Sequence, residues 1–126
     1  MIDRLDHLVL TCTDPAATVD FYARILGMRL ETFGQARQAL RFGNQKINLH
    51  VRGNEFEPKA HLPVPGALDL CFIADRPLDE VIGQLKAAGA TIIEGPVPRT
   101  GATGKIRSVY LRDPDLNLIE ISELIE

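Results

Sequence analysis

The order of secondary structure predicted for the first half of this chain recurs in the second half, and this repeat limits the fold more than any other feature. Residues 5–13 alternate like a strand, and Asp14 followed by Pro15 predicts the N-cap and first turn of a helix. Apolar residues at helical spacing continue to Gly27, which predicts the helix end. Three more strands are predicted at residues 28–33, 38–42 and 46–52.

The second half begins after residues 53–66, which carry three prolines and two glycines and read as a connecting loop. It repeats the order with a strand at 67–73, a helix from Leu78 to Ala88, and strands near 91–94, 105–111 and 117–122. An offset of 62 residues relates His7 to Asp69, and an offset of 70 relates His50 to Glu120. We therefore predict two βαβββ modules, about 1–53 and 66–126.

Length and composition exclude several classes of protein. At 126 residues the chain is expected to form a single domain, and 45% hydrophobic with 25% charged residues is typical of a folded protein. A net charge of −3 without a basic cluster argues against nucleic acid as a partner. Short apolar runs and a charged N-terminus argue against a membrane partner or signal peptide, so we expect a cytoplasmic protein with two free cysteines.

Strand alternation predicts a shared face for four side chains of the kind that bind metals. Apolar residues on the first and last strands of each module mark the face that packs on a helix. His7, His50, Asp69 and Glu120 all fall on the other face. Imidazole nitrogen and carboxylate oxygen suit Zn²⁺, Ni²⁺, Co²⁺, Mn²⁺ or Fe²⁺. Each residue alone also fits an ordinary solvated strand face, so the metal site is predicted from the set.

Three segments, residues 6–28, 46–50 and 108–122, resemble the vicinal oxygen chelate superfamily, which includes glyoxalase I, bleomycin resistance proteins and extradiol dioxygenases. Other segments are most similar to the glyoxalase domain-containing protein five group. The resemblance implies an α+β fold in which two βαβββ modules form an eight-stranded, incompletely closed cup around one metal ion.

The resemblance also implies roles for individual residues. His7 and Glu120 match the superfamily's ligands on the first and last strands, whereas Asp69 stands where many members have histidine. The fourth ligand matches either His50, as the offset of 70 favours, or Asn48, in which case the other residue becomes a substrate contact. The glyoxalase pattern also implies a second role for Glu120 as the catalytic base, if it leaves the metal when substrate binds.

Further substrate contacts are predicted around these ligands. Ser108 and Tyr110 share a strand face and are candidates for hydrogen bonds to substrate, although they also suit a polar wall or packing. The glycine-rich loop 99–105 is a candidate for closing on an anionic ligand, with a plain surface turn as the alternative. Parity places Cys71 on the cup face, where we expect it to be buried and inert.

These observations predict a metal-dependent lyase or isomerase of glyoxalase type that acts on a small oxygenated substrate. An extradiol-type dioxygenase is less favoured, because His7, Asp69 and Glu120 differ from the two-His, one-carboxylate triad of such iron sites. A metal-free drug- or metabolite-binding protein and a thiol transferase of fosfomycin type are the alternatives. We also expect a homodimer, with each cup built within one chain or across two.

Overall fold

The computed structural model describes residues 1–125 and divides into two compact units. The first unit is Met1–Ala67, and the second begins at Leu68. Each unit has a four-stranded sheet and one helical segment in the order strand, helix, three strands. This confirms the predicted α+β class and the two βαβββ modules. The single domain, and the cup that joins all eight strands, stay predictions.

The first unit contains strands β1 (His7–Cys12), β2 (Arg29–Phe33), β3 (Arg37–Phe42) and β4 (Gln45–Val51). Their order in the sheet is β1-β4-β3-β2, with β1 parallel to β4 and the other pairs antiparallel. Helix α1 (Pro15–Val19) continues into a π-helical segment at Asp20–Ile25. The connection from β1 to its parallel neighbour β4 runs through the helical segment, β2 and β3, which is long enough for a parallel pairing.

Local chemistry sets the ends of the first helical segment where the sequence predicted them. The Asp14 carboxylate accepts hydrogen bonds from the backbone N–H groups of Ala16 (3.0 Å) and Ala17 (3.3 Å). This is an N-cap arrangement, which gives hydrogen-bond partners to N–H groups of the first turn that have none within the helix. Gly27 follows with a φ of 79°, a conformation that residues with a Cβ adopt at a cost. Gly89, the residue related to Gly27 by the offset of 62, has a φ of 81° after the second helix.

The second unit contains β5 (Asp69–Ile73), α2 (Leu78–Ala87), β6 (Glu94–Thr100), β7 (Lys105–Arg112) and β8 (Leu118–Leu124). The sheet order is β5-β8-β7-β6, and β5 runs parallel to β8. Helix α2 packs on β7 and β8 through its buried residues Leu78, Val81 and Leu85. Within residues 1–125, no helix has the length and apolar character needed to cross a membrane.

Strand β6 differs from its prediction, which placed a strand near 91–94. It runs from Glu94 to Thr100 and includes Pro96 and Pro98, which read as breakers in the sequence. Prolines are tolerated here because β6 lies at the edge of its sheet, where one row of N–H groups has no neighbouring strand to bond. The strand also bulges between Glu94 and Val97. Gly95 is required at this bulge, since a Cβ would lie 2.4 Å from the carbonyl oxygen of Ser108.

Each sheet has one apolar face and one polar face. In the first unit the apolar face includes Leu10, Leu40 and Ile47, all fully buried. In the second unit it includes Leu111 and Ile119, with at most 1% exposure. The strand registers place the predicted site residues on the opposite, polar faces.

Candidate active site

Glu120 lies at the centre of the polar face of the second sheet. The register pairs it with Tyr110 on β7 and with Cys71 on β5. Its Oε2 atom accepts a hydrogen bond from the Ser108 hydroxyl at 2.6 Å and a longer one, 3.5 Å, from Ser122. Because Ser108 and Ser122 are fully buried and lie 2.6 Å apart, they hold one carboxylate oxygen in a fixed position.

A cavity of about 460 Å³ opens beside this carboxylate, within the second unit. This volume is in the range of pockets that hold small organic molecules. Glu120 is its acidic residue and Arg99 its basic residue. The wall otherwise consists of apolar side chains and the turn after β6: Cys71, Ile73, Thr100, Gly101, Ala102, Thr103, Ile106 and Leu124. The 99–105 segment singled out from the sequence therefore lines a cavity for much of its length.

Arg99 is held at this cavity by neighbouring polar groups. Its Nε donates to the Tyr110 hydroxyl at 3.0 Å, and its Nη2 lies 3.1 Å from the Glu94 carboxylate. Burial is the main reason that the pKa of Tyr110 lies above its ordinary value, while the hydrogen bond from Arg99 opposes the rise. Tyr110 thus stays protonated near neutral pH. Its hydroxyl connects Arg99 to β7, where Tyr110 is the register partner of Glu120 on β8.

Cys71 contradicts the expectation of a buried thiol. It is exposed, whereas Cys12 is buried. Its Sγ lies 3.4 Å from the Ser122 hydroxyl. Desolvation is the main cause that raises the pKa of Cys71, and the nearby Glu120 carboxylate raises it further. The error arose because strand parity predicts which face a residue occupies but not whether that face is covered.

The polar face of the first sheet carries Asn48 and His50 on β4. Asn48 is 7% exposed and His50 is 4% exposed. Asn48 Oδ1 and His50 Nδ1 are buried without a hydrogen-bond partner in the described part of the chain. Burial and the nearby Arg37 lower the pKa of His50, while Glu55 and Glu57 oppose this more weakly. His50 is therefore neutral at pH 7.

The registers decide which of these two residues is equivalent to Glu120. In the first unit His7 pairs with Lys46, so Asn48 lies two positions further along β4. In the second unit Asp69 pairs with Leu118, and Glu120 lies two positions further along β8. Asn48 is thus the equivalent of Glu120, and the predicted offset of 70 is wrong by two residues.

His50 is instead the equivalent of Ser122, and it pairs with Thr11 near the far end of β1 from His7. The two histidines therefore lie apart along the parallel strands of the first sheet. Sequence matching missed this because Leu49 and Ile119, on which the offset relied, are both apolar strand residues that match in more than one alignment.

His7 and Asp69 begin the first strand of their respective units, as predicted. The Nδ1 atom of His7 lies 2.8 Å from the Asp6 carboxylate, and the His7 side chain is 43% exposed. A carboxylate on Nδ1 orients an imidazole so that Nε2 faces a ligand, which is the usual arrangement behind metal-binding histidines. This hydrogen bond lowers the pKa of Asp6.

The positions of these residues bear on the predicted metal site. Among residues 1–125, no three His, Cys, Asp or Glu side chains are grouped closely enough to hold a metal ion. The donor types within each unit suit a divalent cation, since His7 offers nitrogen in the first unit, and Asp69 and Glu120 offer oxygen in the second. The ligand roles of these residues and of His50 stay predictions.

Comparison with known proteins identifies the family. Residues 4–121 match the sequence profile of the Glyoxalase/Bleomycin resistance protein/Dioxygenase superfamily. The chain belongs to this superfamily. Members of the superfamily often use divalent metal ions. The resemblance to this superfamily that residues 6–28, 46–50 and 108–122 indicated is thereby confirmed.

Two curated members of the superfamily are 57% identical to the chain. Virulence protein STM3117 of Salmonella typhimurium matches over 125 residues, which are 99% of this chain and 87% of the relative. Glyoxalase domain-containing protein RDO1 of Mycosarcoma maydis matches over 118 residues, or 94% of this chain and 66% of the relative. The chain therefore spans about two thirds of the length of the fungal protein.

Solved structures of superfamily members agree with the fold. The crystal structure of the Salmonella protein has a TM-score of 0.97 and covers 99% of each chain. A lactoylglutathione lyase from Agrobacterium tumefaciens has a TM-score of 0.75 at 22% identity, covering 98% of this chain and 95% of that one. At this identity the likeness to the lyase shows the fold alone.

Several residues of the site were not predicted. Strand alternation placed Ser122 on the same face as Glu120, but it gave no reason to assign the serine a role in the site. Phe56, whose ring packs against that of His50, and Arg37, whose charge acts on His50, were missed because they lie in the loop and on another strand. No sequence pattern indicates which loop or neighbouring-strand residues lie beside His50.

Proposed function

We propose that this chain is a metal-dependent enzyme, a glyoxalase-like lyase or isomerase that acts on a small oxygenated molecule. The observation that carries the proposal is the Glu120 carboxylate, which lies on the wall of a cavity with Oε2 held by two buried serine hydroxyls. A carboxylate that is fixed in this way and faces a cavity is suited to moving a proton. Superfamily membership supports the reaction class.

Glu120 is the proposed base. Ser108 and Ser122 fix the position of Oε2 through the hydrogen bonds that it accepts from their hydroxyls. The carboxylate can then accept a proton from a carbon next to a substrate carbonyl and return it to the neighbouring atom. The fixed hydroxyls limit movement of the base between the two transfers.

The proposed metal ligands are His7, Asp69 and Glu120. We reduce the predicted set to three, because the register equivalent of Glu120 in the first unit is the neutral Asn48. The chemistry that a bound divalent cation supplies is stabilisation of negative charge on substrate oxygens. Within this proposal Asp6 orients the His7 imidazole through Nδ1.

The substrate is proposed to be small and partly apolar, with an oxygen-bearing reactive part. The cavity volume of about 460 Å³ limits its size, and Ile73, Ile106 and Leu124 offer apolar contacts. Arg99 supplies positive charge on the same wall. An oxygen-rich end near Glu120 and an apolar body would satisfy both parts of this lining.

Metal analysis of protein purified without an affinity tag is the first test. We expect about one divalent ion per chain, lost in His7→Ala and Glu120→Gln and retained in Glu80→Gln, which alters an exposed carboxylate of α2. The loaded protein is then assayed with hemithioacetals of 2-oxoaldehydes. Turnover should fall about 10²- to 10⁴-fold in Glu120→Gln, as expected for loss of an acid–base group. Metal content that the variants do not change, together with no turnover, would refute the proposal.

A metal-free binding protein is the second candidate. The amide of Asn48 at the position equivalent to Glu120 favours it, because a neutral side chain there weakens a metal site. Sub-stoichiometric metal combined with tight retention of a small molecule during purification would support this alternative. A homodimer remains part of either proposal and is tested by light scattering of the purified protein.

A further inference from the structure

The bulge in β6 determines the direction of Glu94, a carboxylate to which the proposed reaction gives no role. Val97 on β6 pairs with Ser108 on β7. An unbroken register would therefore place Gly95 opposite Tyr110. The bulge places Glu94 there instead. Because successive side chains alternate between faces, this shift by one residue turns Glu94 onto the polar face of the second sheet.

The bulge thereby completes a row of three polar side chains across β6, β7 and β8. Glu94 pairs with Tyr110, and Tyr110 pairs with Glu120. Directly paired side chains on one face have Cβ atoms about 4.5–5.5 Å apart, so the two carboxylates lie on either side of the tyrosine. Arg99 lies at the middle of this row. Its Nε donates to the Tyr110 hydroxyl at 3.0 Å, and its guanidinium carbon lies 5.5 Å from the centre of the tyrosine ring.

Arg99 is bonded to Glu94, the first of these two carboxylates. Its Nη2 lies 3.1 Å from Glu94 Oε2, and its Nη1 donates to the Pro98 carbonyl at 3.0 Å. The hydrogen bond to Tyr110 is the main cause that raises the pKa of Arg99, and the charges of Glu94 and Glu120 raise it further. Both carboxylates therefore attract the same guanidinium from opposite sides of the tyrosine.

A guanidinium that moved from Glu94 to Glu120 would interfere with the proposed base. Ser108 and Ser122 already donate to Oε2 of Glu120. Arginine N–H groups would add strong, charge-assisted hydrogen bonds to the same carboxylate. These bonds would have to break before the carboxylate could accept a proton from substrate.

We propose that Glu94 is a positioning residue, which holds Arg99 on the β6 side of Tyr110 and so keeps the guanidinium away from the Glu120 carboxylate. This role rests on the proposed function, because it takes Glu120 as the base. Glu94 acts through Arg99 and contacts neither the base nor the reacting atoms. The β6 bulge then serves the reaction by turning Glu94 onto the face where Arg99 lies.

The kinetic test combines Glu94→Ala with a second change at Arg99. The probe is the hemithioacetal of methylglyoxal and glutathione, assayed with the metal-loaded protein. We expect Glu94→Ala to lower kcat about tenfold, equivalent to about 1.4 kcal/mol, with a smaller change in KM. The double variant Glu94→Ala/Arg99→Gln should regain the kcat of Arg99→Gln alone, because it has no guanidinium to occupy the base. A merely structural role of Glu94 would give no such recovery.

Asp79→Asn is the matched control. It breaks another ion pair of the second unit, in which Arg107 Nη1 lies 3.2 Å from the Asp79 carboxylate. Asp79 lies on the exposed side of α2, so its loss should leave kcat unchanged. Both ion pairs are partly exposed, and breaking either should alter Tm only slightly.

A crystal structure of Glu94→Ala tests the geometry without turnover. An Nη atom of Arg99 should lie within about 3.2 Å of a Glu120 carboxylate oxygen in this variant. The proposal is overturned if Arg99 stays away from Glu120 there, or if the double variant does not regain kcat. Absence of turnover in the unaltered protein would instead refute the proposed function, and the crystal structure would still decide where Arg99 lies. If Glu94→Ala does not fold, Glu94→Gln removes the charge with little change of shape.

Discussion

Asn117 is predicted to be a major source of stability in the second unit. Its side chain is 1% exposed and makes two hydrogen bonds. Nδ2 donates to Asp113 Oδ2 at 2.7 Å, and Oδ1 accepts from the backbone N–H of Leu68 at 2.8 Å. These bonds connect the turn before β8 to the residue that precedes β5.

The cost of Asn117→Ala follows from these two contacts. A hydrogen bond to a charged group contributes about 1.5–3 kcal/mol, and the bond to the Leu68 amide about 0.5–1.5 kcal/mol. We therefore expect a loss of about 2–4 kcal/mol in the free energy of unfolding, or roughly 8–16 °C in Tm for a chain of this size. The two hydrogen bonds that use the Asn117 backbone, from the Asp113 N–H to its carbonyl and from its N–H to Asp113 Oδ1, do not involve the side chain that is removed.

Urea denaturation measures this loss, and hydrogen exchange locates it. The midpoint should fall with little change in m, and the Leu68 amide should exchange faster. Asn54→Ala, at an exposed loop position, is the control and should stay within about 0.5 kcal/mol of the wild type. A loss below about 1 kcal/mol, or unchanged protection of Leu68, would refute the reasoning.

Three further predictions concern the site and its supports. Glu120→Gln removes a negative charge that raises the pKa of Cys71, so iodoacetamide should label Cys71 faster at pH 8; an equal or slower rate contradicts this. The pKa of His50 is lower in the folded state than in the unfolded state, so the unfolded state binds more protons below pH 6.5. The free energy of unfolding should therefore fall as the pH drops from 6.5 through the lower folded pKa. A His50→Gln variant with the same pH dependence in denaturation would exclude His50 as the cause. Gly95→Ala should cost more than about 2 kcal/mol in thermal unfolding, because its Cβ would overlap Ser108, and a smaller loss would show that β6 adjusts freely.

The repeated module was predictable because it depends on local signals. The Asp14-Pro15 start, the Gly27 and Gly89 ends and the strand alternation all act over a few residues, and each agrees with the structure. The offset of 62 agrees with the structure because Gly27 and Gly89 both follow a helix with a positive φ, a conformation that favours glycine. Family membership was predicted from the resemblance of residues 6–28, 46–50 and 108–122, together with the repeat, to the superfamily.

The register of the paired strands could not be predicted from the sequence as reliably as the order of helices and strands. Apolar strand residues such as Leu49 and Ile119 fit several offsets, and only hydrogen-bonded register distinguishes His50 from Asn48. A shift of two residues keeps the same sheet face, so alternation cannot detect it. The β6 strand was misplaced for a different reason, since its tolerance of Pro96 and Pro98 depends on edge position, which is a property of the assembled sheet.

The two prolines of β6 also limit how this sheet can associate. A strand that adds to an exposed edge needs a regular row of backbone donors, and Pro96 and Pro98 supply none. The bulge beside them interrupts the row further. The outer side of β6 is thereby protected against uncontrolled edge-to-edge aggregation, so the cavity wall that the end of β6 forms can stay open to solvent without becoming a template for fibre growth.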